Sequence, residues 1–212
     1  MRKKIGFLTI CFVFFCFLLA PFAFAERAET SVVSGVSIFV GPEYMRFGSI
    51  KVDGRRFADI NDFFGFKIGA GYEISDNFGV EVAWSRFSLD EAGVNLPRES
   101  KNTFRFALDA NYFSLSPTFK WKVAKGVALN GALGAYWCQA RLDVEDVKLS
   151  EKDSGGALGT FCELGFTVSP SSSLYFNVTG GYRDGKAVGG FFNRQEIETK
   201  GSFFSALCNV AF

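Results

Sequence analysis

The segment FCELGFTVSPSSSLYFNVTGGY (residues 161–182) decides the fold, because its two halves match each other around a turn. The turn, SPSSS (169–173), contains proline and serine, which favour turns. A hairpin centred on Ser171 predicts one apolar face, with the pairs Val168–Leu174, Phe166–Phe176, Leu164–Val178 and Cys162–Gly180. The other face is mixed and polar, with the pairs Thr167–Tyr175, Gly165–Asn177 and Glu163–Thr179. This alternation predicts a β-hairpin whose two faces meet different surroundings.

The rest of the chain repeats the pattern, without a helical period. There are eight alternating segments: VSIFVGPEYM, FFGFKIGAGYEI, FGVEVAWSRF, FRFALDANYFSLSPTFKWKV, VALNGALGAYWC, ALGTFCELGFTV, LYFNVTGGYR and FFSALCNVAF. Three connections are short turns, at 75–77, 124–126 and 169–173, and four are long and charged, near 45–62, 87–103, 139–156 and 184–201. A hairpin centred on Lys125 predicts the pairs Trp121–Leu129, Phe119–Gly131, Pro117–Leu133, Phe113–Trp137 and Lys120–Asn130. The sequence therefore predicts an all-β fold, an eight-stranded antiparallel up-and-down transmembrane β-barrel.

The N-terminus has the pattern of an export signal. The basic start MRKK precedes the apolar run IGFLTICFVFFCFLLA, and Ala23, Phe24 and Ala25 form a small-residue cleavage site. We predict a cleaved signal peptide at 1–25 and one β-barrel domain at 26–212, with a retained membrane anchor as the alternative. Cleavage leaves 20 basic and 22 acidic residues, a net charge of −2. This balance predicts no nucleic-acid partner.

Two features indicate that the apolar face of the barrel points outward into lipid. A soluble barrel of the lipocalin type would place that face inside instead. The other face, however, intersperses glycine and alanine with Lys67, Glu73 and Glu81, which suits a crowded lumen. Aromatic residues also concentrate near the two ends of the strands, as in the girdles of membrane barrels. The predicted girdles are Tyr72, Phe78, Trp121, Phe166 and Phe212 at the short-turn end, and Phe64, Trp84, Trp137 and Tyr182 at the long-loop end.

The inward face carries a predicted polar network in the lumen, made of Lys67, Glu81, Lys120 and Glu163. We expect Lys67 and Glu81 to be near-diagonal neighbours on one hairpin and to be energetically coupled. An eight-stranded barrel has room for little more than side chains, which favours a salt-bridged plug. The alternative is a charged constriction in a conducting pore.

These features together resemble a known group. A signal peptide, eight alternating strands, short turns opposite long loops and a final strand that ends on Phe212 are similar to the small eight-stranded outer-membrane barrels of Gram-negative bacteria, the OmpA membrane-domain, OmpX/Ail and opacity-type porin family. The resemblance covers residues 32–212. It implies the cell outer membrane as the location, a last strand that pairs with the first, and Phe212 as the assembly signal. It also implies partners: the barrel-insertion machinery, periplasmic chaperones, outer-membrane lipids and lipopolysaccharide.

The fourth segment is longer than a membrane crossing requires. About ten residues from Val123 reach Phe113, so 104–112 are expected to project outside. The apolar positions change parity at Tyr112 and Phe113, which predicts a β-bulge there. A projecting strand offers an edge to an extracellular protein partner, and the resemblance to OmpX/Ail-like barrels implies an adhesin-like role. A stiff stalk without a partner is the alternative.

The chemistry of the remaining residues predicts neither catalysis nor a cofactor. The chain has no histidine, and the mature part keeps Cys138, Cys162 and Cys208 at spacings that suit neither a metal nor a redox site. The acyltransferases, deacylases, phospholipases and omptin proteases among outer-membrane barrels resemble one another in needing histidine, so we predict no enzyme activity. Basic residues in the loops are candidates for contacts with the phosphates of lipopolysaccharide: Lys51, Arg55, Arg56, Arg98, Lys101 and Arg194. The alternative is that they form only a solvated surface. Inward-facing Phe39, Phe161 and Leu207 keep open a conduit for small or apolar solutes.

Overall fold

The computed structural model describes residues 35–47, 50–52, 55–58, 63–94, 104–145, 150–189, 195–198 and 200–212. The predicted signal peptide lies outside these residues, as do the side chains of the six candidate loop basics. The strands are β1 (Val36–Phe47), β2 (Ile50–Val52), β3 (Arg55–Ala58), β4 (Phe63–Glu73), β5 (Phe78–Val94), β6 (Phe104–Ala124), β7 (Val127–Glu145), β8 (Ser150–Val168), β9 (Leu174–Gly189), β10 (Gln195–Glu198) and β11 (Gly201–Ala211). Within the described ranges, no helix has the length and apolar character needed to cross a membrane.

The long strands form a closed antiparallel barrel, which confirms the predicted fold class. Strands β1, β4 to β9 and β11 each pair with their neighbours in order, and β11 pairs with both β9 and β1. The closing seam runs from the pair Ser37–Ala211 to the pair Phe47–Gly201. Short strands β10, β2 and β3 extend the sheet from the end of β9. Because the seam is paired, the barrel has no free edge there.

The short turns lie where the sequence predicts them, and one register is corrected. At the Lys125 turn the pairs Trp121–Leu129 and Phe113–Trp137 are confirmed, and Gly126 adopts the left-handed conformation (φ 69°) that glycine tolerates. At the SPSSS turn Val168 pairs with Phe176, so the predicted partner Leu174 was wrong by two residues. Leu174 instead pairs with β11, and its N–H donates to Ser171 Oγ (3.1 Å). A shift of two keeps every side chain on its predicted face.

The strands are longer than predicted, and β6 has no bulge at Tyr112 and Phe113. The connection expected near 139–156 is largely strand, because β7 and β8 pair up to Glu145–Ser150, and β5 extends to Val94 within the connection expected near 87–103. Pairing of β6 with β7 keeps one register across Tyr112–Cys138 and Phe113–Trp137, and its irregularity lies at Lys122 and Ala124 instead. Backbone hydrogen bonding therefore continues past the membrane as an antiparallel ladder.

The change of apolar parity in β6 has a different cause, namely a change in what surrounds the barrel. Even-numbered Leu108, Ala110 and Tyr112 point inward and are each 1% exposed. Odd-numbered Phe113 and Leu115 point outward and are 48% and 56% exposed. The strand continues in one register, but its apolar side chains lie on the inner face up to Tyr112 and on the lipid-facing outer face from Phe113 onward.

Candidate functional site in the barrel interior

The interior near the short turns is a hydrogen-bonded polar layer. Lys120 on β6 forms an ion pair with Glu73 on β4, and its ammonium lies 4.7 Å from the ring centre of Tyr175. Glu73, Lys120 and Tyr175 line a small cavity of about 20 Å³, and Glu81 lines it too. This volume is enough for about one water molecule. The sequence places Lys120 and Glu81 in the lumen network, and the structure adds Glu73 as the ion-pair partner of Lys120.

Beside this layer, a chain of hydrogen-bonded amide and hydroxyl groups runs from strand to strand along the inner face of the barrel wall. Asn130 Nδ2 donates to Thr167 Oγ1 (3.0 Å), and Thr167 Oγ1 donates to Asn177 Oδ1 (2.8 Å). These three inward side chains belong to β7, β8 and β9 and are buried. Neutral hydrogen bonds of this kind satisfy polar groups that neither lipid nor bulk water reaches.

The middle of the lumen holds an ion pair across the bore. Lys67 Nζ on β4 lies 3.6 Å from Glu163 Oε2 on β8, and the two side chains are 4% and 7% exposed. The register pairs Lys67 with Ser85, whereas Glu81 pairs with Gly71. The expectation that Lys67 and Glu81 are near-diagonal neighbours was therefore wrong, since they lie four residues apart along the ladder.

The outer half of the lumen contains a second buried ion pair that the sequence reasoning missed. Arg183 Nη2 on β9 donates to Glu43 Oε1 on β1 (2.6 Å), and the side chains are 4% and 0% exposed. The guanidinium carbon lies 4.5 Å from the ring centre of Phe203 and 4.8 Å from that of Tyr112. Both charged residues share the inward parity of their strands, and this signal was available in the sequence.

Around and above the Arg183–Glu43 pair the interior becomes an apolar core, which also reaches Ala132, the cross-strand neighbour of Glu163. The buried cluster contains Met45, Phe63, Phe87, Leu108, Ala110, Tyr112, Ala132, Tyr136, Cys138, Ala140, Ala157, Phe161 and Phe203. The rings of Phe87 and Tyr112 meet edge to face at 5.6 Å, and Tyr112 and Tyr136 lie 5.4 Å apart. Aromatic contacts of this kind add to the stabilisation from burial. Polar layer, ion pairs and aromatic core together occupy successive levels of the lumen.

The predicted girdle residues lie on the outward face. Exposed fractions are high for Phe64, Tyr72, Phe78, Trp121, Trp137, Phe166, Tyr182 and Phe212. Trp84 is less exposed because its ring packs edge-on against Phe66 at 5.2 Å and its Nε1 donates to Asn111 Oδ1 (3.2 Å). The N–H of Phe212 donates to the carbonyl oxygen of Val36 (2.9 Å), next to the closing seam.

The described residues contain no group of three or more histidine, cysteine or acidic side chains arranged to hold a metal ion. The three described cysteines are free thiols that form no disulfide bond with one another. What the interior offers is therefore charge neutralisation and packing. Each buried cation lies against an acid, and apolar rings surround Arg183. An arrangement of this kind fills a lumen and holds its walls together.

Comparisons with known proteins agree with this geometry. The model of a family described as outer membrane protein beta-barrel domain matches residues 15–206. No curated protein matches the chain significantly in sequence. Among solved structures, the attachment invasion locus protein Ail of Yersinia pestis is 20% identical, with 84% of this chain and 99% of that chain covered and a TM-score of 0.51.

Two further solved structures share the fold. The outer membrane protein OprG of Pseudomonas aeruginosa is 15% identical, with coverage of 84% and 96% and a TM-score of 0.58. Neisserial surface protein A is 16% identical, with coverage of 84% and 98% and a TM-score of 0.52. At these identities the likeness establishes the barrel architecture.

Proposed function

Since the chain belongs to the outer membrane protein β-barrel domain family and is an outer-membrane barrel, we propose that it acts as a surface-interaction protein with a plugged lumen. The proposal has two parts. The interior blocks passage through the barrel, and the projecting end of the sheet contacts an extracellular protein. No catalytic step belongs to the proposal, because the chain contains no histidine to serve as a general base.

One observation carries the proposal: strands β5 to β8 continue in ladder pairing well beyond the girdle level, and the described inward side chains at the base of this extension are buried. Pairing extends from Phe113–Trp137 to Arg105–Glu145 between β6 and β7, and to Glu145–Ser150 between β7 and β8. Buried Leu108 and Ala110 pack inside this extension. A stiff sheet that is packed inside at its base is suited to presenting a surface, whereas a conduit needs an open passage at that level.

The likeness to Ail supports this choice only as an analogy, since that structure is named an attachment invasion locus protein. The proposed partners are an extracellular protein at the projecting sheet and the lipids of the outer membrane around the wall. During assembly we propose that the barrel-insertion machinery and periplasmic chaperones recognise the final strand with Phe212. The paired seam supports that role, because the last strand completes the barrel.

Shortening the projecting sheet tests the surface role. In the test variant, a two-residue Asn-Gly turn replaces residues 142–153, which leaves the Arg141–Ser154 pair and everything below it. The matched control is Lys125→Asn, which creates an Asn-Gly turn at the opposite end. Bacteria that display each barrel are tested for adhesion to immobilised extracellular matrix proteins. We expect the shortened barrel to lose most of the adhesion and the control to keep it.

Equal adhesion by the shortened barrel would remove the projecting sheet from the proposal, and no adhesion by the full chain would leave a purely structural role. Single-channel recording of the refolded barrel in a planar bilayer tests the plug separately. We expect a silent barrel. Steady openings whose conductance changes in Lys67→Gln would instead establish the alternative, a conduit for small solutes, since that ammonium lies at mid-lumen.

A further inference from the structure

The charged side chains inside the barrel leave one negative charge without a partner. The inward-facing charged side chains that the structure describes are four acids and three cations, a net charge of −1: Glu43, Glu73, Glu81, Glu163, Lys67, Lys120 and Arg183. Each cation lies against one acid, and the acid left over is Glu81, which pairs with no described cation. An unpaired charge shielded from bulk water is costly, so the lumen requires one further positive charge.

The small cavity near the short turns lies beside this unpaired acid. Glu81 and Glu73 both line the cavity, whose volume of about 20 Å³ holds one water-sized species. Residues 75–77 of the turn between β4 and β5 line it as well. The cavity therefore borders the short-turn end of the barrel, and an ion can enter it without passing the apolar core.

The buried polar atoms of this layer have too few donors. Three side-chain atoms here have no hydrogen-bond partner among the described residues, and all three are acceptors: Glu73 Oε2, Asn130 Oδ1 and Asn209 Oδ1. Asn130 and Asn209 are 9% and 0% exposed, and they are the cross-strand neighbours of Lys120 and Tyr175, which line the cavity. A surplus of acceptors is satisfied by a cation or by a donating group, and not by an anion or an apolar molecule.

We propose that the cavity binds one sodium ion between the carboxylates of Glu73 and Glu81. Three further side chains that line the cavity carry hydroxyl groups, namely Ser37, Thr118 and Tyr175. Carboxylate and hydroxyl groups together offer the oxygen ligands that hard cations prefer. This binding site lies inside the barrel, so it goes beyond the proposed surface role and does not depend on it.

Charge and size favour a monovalent ion over the alternatives. The two carboxylates and the ammonium of Lys120, which pairs with Glu73, together carry one negative charge, so one monovalent cation makes the group neutral. A divalent ion would leave a positive charge, and magnesium keeps several of its waters, for which a cavity of one water volume has no room. A water molecule alone would satisfy acceptors but would leave Glu81 without a counter-charge.

Urea unfolding of the barrel, refolded in lipid vesicles, tests the site in sodium chloride and in choline chloride at equal ionic strength. Choline is too large for the cavity, so it screens charges without binding there. The variants are Glu81→Gln, which removes the surplus charge, and Thr118→Val, which removes one hydroxyl group. The matched control is Asp109→Asn, which removes a carboxylate from the outward face of β6. Circular dichroism checks that each variant folds.

We expect wild type and Asp109→Asn to unfold at a higher urea concentration in sodium chloride than in choline chloride, because an ion bound only by the folded barrel stabilises it. This shift should saturate as the sodium concentration rises. Glu81→Gln should have the same unfolding midpoint in both salts. Thr118→Val should require about tenfold more sodium for half of the shift, the effect of losing one contact between an oxygen and a charged group.

Two results would overturn the sodium site directly. One is a wild-type midpoint that is equal in the two salts, and the other is a sodium-dependent shift that persists in Glu81→Gln, since the ion would then bind elsewhere. A third result would replace the ion by a proton. In that case the wild type would lack the sodium shift but would gain stability at low pH, and Glu81→Gln would abolish the gain.

Discussion

Two parts of strand β6 carry their apolar side chains on opposite faces of the barrel wall. Between Phe113 and Val123 the apolar side chains face outward and the interior carries Ser116 and Lys120. Between Leu108 and Tyr112 the apolar side chains face inward and Asp109 faces outward beside Arg86. The register is continuous, so the backbone does not cause the difference.

The difference teaches that the surroundings decide what the interior contains. Where lipid surrounds the wall, an apolar outer face is stabilised by contact with lipid, and the interior holds its walls together by hydrogen bonds and ion pairs. Where water surrounds the wall, apolar side chains gain by leaving it, as in a soluble protein. The Arg183–Glu43 pair lies at the transition, since aromatic rings cover it from the outer side.

The largest expected effect is the loss of Arg183 at this transition. Arg183→Leu leaves the carboxylate of Glu43 buried without its cation, and breaking a buried pair in this way costs about 3–5 kcal/mol. The free energy of unfolding in urea, measured with the barrel refolded in lipid vesicles, should fall by that amount. Loss of the guanidinium contacts with Phe203 and Tyr112 contributes to the same change.

The double variant Glu43→Gln/Arg183→Leu separates the two contributions. If the unpaired charge dominates, the double variant should recover much of the lost stability, because no ionised group then remains buried alone. A double variant as unstable as Arg183→Leu would show that the guanidinium acts mainly through ring contacts and would place Arg183 with the apolar core instead of the ion pairs.

A smaller effect is expected when one leucine on each face of the barrel wall is truncated to alanine. Leu108→Ala should lower the free energy of unfolding by about 2–5 kcal/mol, since the packed interior keeps a cavity where the side chain was. Leu158→Ala should cost less, because Leu158 is 78% exposed and lipid chains fill the space. Urea unfolding in the same vesicles measures both. Equal losses of unfolding free energy would mean that Leu108 inside the barrel is packed no more tightly than Leu158 is against the lipid chains.

The closure of the barrel followed from the resemblance to small outer-membrane barrels, and the SPSSS turn followed from its turn-forming residues. Alternation in the sequence predicted which residues share a face, because parity survives any even shift of register. The same property explains the error at Ser171, where a shift of two left both faces unchanged. The apparent bulge at Phe113 failed for a related reason. Hydrophobicity alone does not tell an outward apolar residue in lipid from an inward one in a water-surrounded core.

Contacts across the bore were the hardest to predict. Lys67 and Glu163 belong to β4 and β8, which are not neighbours in the sheet, so no hairpin register relates them. Their meeting depends on the tilt and stagger of the closed barrel. Glu43 and Arg183 likewise come from β1 and β9. The sequence predicts which charges face inward, but the closed barrel determines which cation meets which acid.

The last prediction distinguishes the two candidate partners of Lys67. A double-mutant cycle with Lys67→Met and Glu163→Gln should give a coupling energy within about 0.5–3 kcal/mol, the range for residues in direct contact. The parallel cycle with Glu81→Gln should give a smaller value, because Glu81 lies four residues along the ladder from the cross-strand partner of Lys67. Both cycles use urea unfolding in lipid vesicles. A larger coupling with Glu81 would mean that the ammonium turns toward the short-turn end, so that the middle level joins the polar layer and the Arg183–Glu43 pair alone separates the two halves.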